Sequence, residues 1–192
     1  MARFEKSRPK SAQAWRDLST AYQTEGDTAD AIDALNRAIV IRPKSPEAYR
    51  ELAGLHLTRA SEFQQQLQQA QVTAAFRAPG TAFPSLTTKS GQATLTDPLQ
   101  NAVSSGVTDS ASALYQQAAA EAVAAVEAYK NLVRLQPNDP NIQLELAQTA
   151  QQTGDVTTAI AAYQRFVKLA PDDPNASVVR AQLQQLRKNS SG

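Results

Sequence analysis

The sequence predicts an all-α chain, a solenoid of antiparallel helix pairs interrupted by a projecting long helical hairpin. Three observations predict it. Packing residues recur at a fixed interval of 34, helix stop and start signals fall at matching points of that interval, and two long apolar stripes flank one stretch without periodicity.

The register is set by residues 12–45. Trp15, Leu18 and Tyr22 are spaced by three and four, which places them on one face of a helix. Ala31, Leu35 and Ala38 do the same on a second helix. Ser11 is placed to cap the first helix. Gly26 ends it, because glycine enters the left-handed region without steric penalty, and Asp27 caps the second. Pro43 cannot continue a helix and closes the unit. With Trp15, Leu18, Tyr22, Ala31, Leu35, Ala38 and Pro43 in this order, the unit resembles a tetratricopeptide repeat. One departure is Ser19, where the family has glycine; serine is still small enough for close helix approach.

The landmarks return along the chain. Pro137 and Pro171 are 34 apart, with Leu146, Ala147, Gly154, Ala159, Tyr163 and Phe166 at the expected places between them. The run Gly26-Asp27 to Ala31-Ile32 is echoed by Gly154-Asp155 to Ala159-Ile160 at an offset of 128, which is two periods with an excess of 60. Pro43 and Pro137 are 94 apart, which gives the same excess. The middle repeat, 46–139, is therefore expected to carry a 60-residue insertion, and 140–173 to form the third repeat.

Residues 1–11 read as the remnant of a preceding repeat's second helix, since Phe4 and Pro9 sit one period before Ala38 and Pro43. On that expectation the parent protein extends N-terminally, into further repeats or a membrane anchor. Ser45-Pro46-Glu47 opens the next helix with a cap, a proline at the first helical position and an early acid. Tyr49, Leu52, Ala53 and His56 take the packing positions. No glycine ends the pattern, which runs on through Ala60, Phe63, Leu67, Ala70 and Ala74 and predicts one helix over 46–76.

Residues 78–107, rich in Ser, Thr, Gly and Pro, are expected to form a long loop holding one short helix after Asp97-Pro98. Thr108-Asp109-Ser110 then starts a returning helix. Its stripe is Ala111, Tyr115, Ala118, Ala122, Ala125, Tyr129 and Leu132, with the 3.5-residue spacing of a coiled-coil seam. The insertion, about 60–123, is thus an expected helical hairpin. In the third repeat Gln143 and Ala150 replace large aromatics, which predicts looser packing there. A capping helix is expected over 174–188, with Val178, Ala181 and Leu186 as its apolar side, followed by a disordered tail at 189–192.

Composition narrows the function. The 192 residues carry 19 basic and 18 acidic side chains, a net charge of +1, so no long-range field favours nucleic acid or an anionic membrane. There is no cysteine, which removes disulfides, thiol catalysis and the usual structural zinc sites. No apolar run approaches the length of a membrane span, so this segment itself is expected to make no membrane contact. The compartment is not fixed by these residues: cytoplasm and tethering through an N-terminal part both fit. His56 is the only histidine, stands at a packing position and reads as an interface residue rather than a base or metal ligand. No metalloprotease, phosphate-loop or nucleophile-elbow motif occurs. No enzyme, cofactor or metal site is predicted.

The resemblance implies a protein or peptide partner held on a concave groove lined by first-helix residues not used for packing. Mapped through the register, these are Gln13, Arg16, Thr20 and Gln23, then Glu47, Arg50 and Gly54, then Asn141, Leu144 and Gln148. Arg16 and Arg50, one period apart, form a two-rung basic ladder suited to a carboxylate or phosphate, with Glu47 within reach of Arg50 along the helix. The Lys and Asn clamp that some family members use on a peptide C-terminus is absent at the matching positions. A polar extended peptide is the expected ligand. The alternative is an assembly or spacer scaffold that self-associates through the coiled-coil-like hairpin.

Overall fold

The computed structural model describes residues 10–77 and 98–190, with side chains for 10–71 and 109–189. The expectations for Phe4 and Pro9, for 78–97 and for 191–192 lie outside the described residues. Seven α-helices and no strands occur among the described residues: α1 Ala12–Glu25, α2 Thr28–Ile41, α3 Pro46–Arg77, α4 Pro98–Leu135, α5 Pro140–Gln152, α6 Val156–Leu169 and α7 Ala176–Ser190.

The helix ends follow from the punctuation residues. The Ser11 hydroxyl accepts from the Ala14 amide at 3.1 Å, and Asp27 accepts from Asp30 at 3.2 Å. Gly26, at φ 79°, returns its amide to Gln23 at 3.1 Å, while Asp27 donates to Tyr22 at 2.9 Å, so the orphan carbonyls of the last turn are used. The third pair repeats the device: Gly154 also sits at φ 79°, and Asp155 accepts from the Thr158 amide at 3.0 Å.

The chain divides into two compact units, one of Ala60–Ala118 and one of the residues before and after it. In the larger unit, burial recurs with the register. Ala31, Ala125 and Ala159 are each 0% exposed; Leu35, Tyr129 and Tyr163 are buried, as are Ala38, Leu132 and Phe166. On the first helices, Ser19, Ala53 and Ala147 are all fully enclosed, so each of the three small residues sits where two helices close on one another. Most of these residues belong to an apolar cluster running from Ala31 and Leu35 to Val179 and Leu183, and full burial of a Phe or Leu side chain contributes about 2 kcal/mol.

Several details differ from the sequence reading. α3 continues one residue beyond the expected end, to Arg77. The short helix expected after Asp97-Pro98 does not end within the loop: residues 98–107 are the opening turns of α4 and run directly into the returning helix. Extending a helix fixes one residue per new hydrogen bond, whereas starting one separately pays a nucleation penalty, so Ser104, Ser105 and Gly106 are carried along despite poor propensity. Tyr115 is not a seam residue: it is 68% exposed, and the line turned inward runs through half-buried Leu114 and buried Ala118 instead.

The third repeat is not loosely packed. Gln143 and Ala150 are buried with Ile142 and Leu146, and the Gln143 amide donates to the Pro137 carbonyl at 3.3 Å. α7 runs two residues beyond the expected 188 and buries Ala176, Val179 and Leu183, with Leu186 half-buried. Val178 faces outward and Ala181 is exposed, because the 3-4-3 spacing of Ala176, Val179, Leu183 and Leu186 supplies the larger continuous stripe.

Candidate partner-binding face

The first helices of the three pairs are α1, the N-terminal part of α3, and α5. Their buried faces leave an opposite set of polar side chains. Gln13, Thr20, Gln23, Glu47, Arg50, Gly54, Asn141 and Gln148 are all exposed, and Arg16 is half-buried. Leu144 is also half-buried and packs on the core rather than extending the polar row.

The two arginines do not form a bare ladder. Arg16 grips Glu51 with both ends of its fork: Nε donates to Oε2 at 3.2 Å and Nη2 donates to Oε1. This hydrogen bond raises the guanidinium pKa, with partial burial opposing it. Arg50 reaches not Glu47 but Glu145, with Nε 3.4 Å from Oε2. At that separation charges attract, yet the buried Glu145 Oε2 makes no hydrogen bond. The Arg50 guanidinium makes no hydrogen bond among the described residues, and its side chain is 50% exposed. Each arginine thus meets a glutamate on the first helix of the next pair, one residue past the equivalent register position. Glu47 takes the Ser45 hydroxyl at 3.1 Å, and its carboxyl is held below the usual range by its own backbone amide and then by that hydroxyl.

Further polar contacts lie beside this face. Gln13 donates to Asp17 at 2.8 Å, and the Thr20 hydroxyl donates to the Arg16 carbonyl at 3.2 Å, so both are held along α1. Gln23 donates weakly to Ser19 Oγ at 3.4 Å. Ser19 itself donates to the Ala31 carbonyl at 2.9 Å, which ties the two helices of the first pair at their closest approach.

His56 is half-buried and faces a carboxylate of α4. Its Nδ1 lies 2.6 Å from Glu121 Oε2, and Arg59 Nε stands 3.1 Å from the other oxygen of the same carboxylate. Nothing local marks Glu121 as the partner, since it lies far along the chain and only the packing of α3 against α4 brings the two together. Among the described residues, no group of three or more His, Asp or Glu side chains could hold a metal ion, and no helix is long and apolar enough to cross a membrane.

Comparisons with known proteins bear on the family. Models of the tetratricopeptide repeat match residues 12–55 and 111–184. No curated protein matches the chain. Among solved structures, a tetratricopeptide repeat protein from Parabacteroides merdae is 15% identical, covering 94% of this chain and 62% of its own, at a TM-score of 0.33. A thermophilic repeat protein of Thermus thermophilus is 17% identical, with 92% and 98% covered, at a TM-score of 0.29. MamA residues 41 to the end from Desulfovibrio magneticus are 14% identical, with 97% and 100% covered, at a TM-score of 0.27. The chain spans about 62% of the length of the Parabacteroides protein. With two repeat models matching most of the helical chain, and caps and burial recurring on the same interval, the chain belongs to the tetratricopeptide repeat family.

Proposed function

We propose that this protein is a non-enzymatic binding module that holds an extended polar peptide along the first-helix face, through Gln13, Gln23, Arg50, Asn141 and Gln148, with Arg50 as its charged anchor. One observation carries the reading. Arg50 is half-exposed and pairs with Glu145 by charge alone, without a hydrogen bond, so its guanidinium N–H groups are available to a carboxylate of the partner. Arg16 is assigned a structural role instead, because Glu51 occupies both ends of its fork. Gly54, exposed and with open space where a Cβ would stand, lets a peptide backbone pass close to α3.

The test is capture by the full chain, used as bait in an extract of its source cells. Arg50→Glu should reduce recovery of the partner about tenfold, since it places like charge against the carboxylate, while the melting temperature stays within a few degrees. Undiminished recovery by a folded Arg50→Glu variant would exclude the face. A second reading, self-association through the unit Ala60–Ala118, draws on the exposure of Tyr115. On that reading Tyr115→Ser makes an oligomeric chain monomeric in light scattering; a wild type that is already monomeric contradicts it.

A further inference from the structure

We propose that the cleft between α6 and α7 is a second binding site, for an acidic peptide segment that carries one apolar anchor residue. It lies on a second helix and the terminal helix, away from the polar row of α1, α3 and α5, and does not depend on the reading above. Every charged side chain on these two helices is a cation: Arg165 and Lys168 on α6, and Arg180, Arg187 and Lys188 on α7. With Asp155, Asp172 and Asp173 beside the two helices, residues 155–192 keep a net side-chain charge of +2, against +1 for the whole chain.

The cleft has a volume of about 460 Å³, and its lining combines Arg165, Lys168 and Arg187 with Ala161, Val167 and Leu183, without any acidic residue. Open to solvent, the cleft admits one or two side chains of a ligand rather than enclosing a small molecule. An apolar floor beside three cations complements an apolar side chain flanked by carboxylates.

Comparison along the register shows why the third pair differs. The positions of Arg165 and Lys168 are held in the first pair by Arg37 and Val40, and in the second by Asn131 and Arg134. Arg37 lies over the Trp15 ring at 4.8 Å from its centroid, and Arg134 donates to the neutral Asn131 Oδ1 at 2.8 Å, so the third pair differs in carrying a cation at both positions where the others carry one. Arg165 donates only to Asn138 Oδ1, at 3.1 Å, a neutral acceptor that leaves its charge uncompensated. Lys168 makes no hydrogen bond or ion pair among the described residues. Neither the Lys168 ammonium nor the Arg165 guanidinium is held by a counter-charge among the described residues, so these two groups meet an acidic ligand without first breaking a salt bridge of their own.

The experiment uses the full chain and a fluorescein-labelled octapeptide of glutamates with one central leucine, read by anisotropy. Two control peptides replace the glutamates by glutamine or the leucine by glycine. The first peptide should bind and both controls should bind more weakly. Lys168→Glu should weaken binding about tenfold, Lys168→Arg should preserve it, and Arg50→Glu on the other face should leave it unchanged. Lys168 is exposed and unpartnered among the described residues, so its substitution leaves the fold intact. Absence of binding, equal binding of the glutamine peptide, or indifference to Lys168→Glu overturns the site. So does a Lys168-dependent association with phosphatidylglycerol vesicles in place of the peptide, which would assign the cleft to a membrane surface.

Discussion

At the scale of single residues, the side chains fall into those that close helices on one another and those that face water, and a few polar residues belong to the first group. Ser19 is legible from the sequence as a small residue; its hydrogen bond to the Ala31 carbonyl is not, because a serine in a packing position reads the same whether or not its hydroxyl has a partner. Tyr163 is enclosed, and its hydroxyl donates to Gln151 at 2.7 Å. Burial keeps the phenols of Tyr163 and Tyr129 neutral and raises both pKa values above the ordinary 10.0; for Tyr129 the nearby Glu145 charge adds to this and Arg50 opposes it. A raised folded-state value means that the stabilisation is complete below about pH 10, the unfolded value, and is lost as pH climbs through the higher folded-state value. The melting temperature should therefore fall on the alkaline side. Tyr163→Phe should cost about 1 kcal/mol at neutral pH, through the lost hydrogen bond, and flatten that alkaline fall. Superimposable pH profiles for the two proteins would contradict this account.

At the scale of helices, boundaries are readable wherever a specific residue imposes them. Ser11, Gly26, Asp27, Asp139, Gly154 and Asp155 stand at the ends they announce. The start of α4 after Asp97-Pro98 is legible, but its continuity is hidden, since nothing local distinguishes a glycine carried inside a long helix from one that ends it, and Gly106 lies in the former. In α7 the missing signal is phase: two overlapping apolar stripes are available, and burial selects the one through Val179 and Leu183. The same logic gives glycine substitutions of opposite sign. At Gly26, where φ is 79° and no atom lies near the added Cβ, alanine suffers only backbone strain, and Gly26→Ala should destabilise by about 1 kcal/mol. At Gly54, in the interior of α3 and equally open, Gly54→Ala should stabilise by about 1 kcal/mol. Chemical denaturation of the two variants measures both, and a shared sign would show that the turn conformation of Gly26 carries no penalty.

At the scale of the whole molecule, the interval of 34 reaches beyond packing into electrostatics. Arg16 meets Glu51 at a separation of 35, and Arg50 meets Glu145 at a separation of 95, larger by the same excess that stands between Pro43 and Pro137. The excess of 60 residues is thus the same in both spacings, and the compact unit Ala60–Ala118 is 59 residues long. The candidate groove residues follow from the register alone. What the register leaves hidden is which arginine is already occupied, because the pairing glutamates lie on another helix and only the packed helices bring them together. The central claim, that a partner lies along the first helices, is tested most directly by hydrogen–deuterium exchange of the full chain with and without its captured partner. Slowed exchange along α1, the opening turns of α3 and α5 is the expected result; protection confined to 60–118 would contradict it.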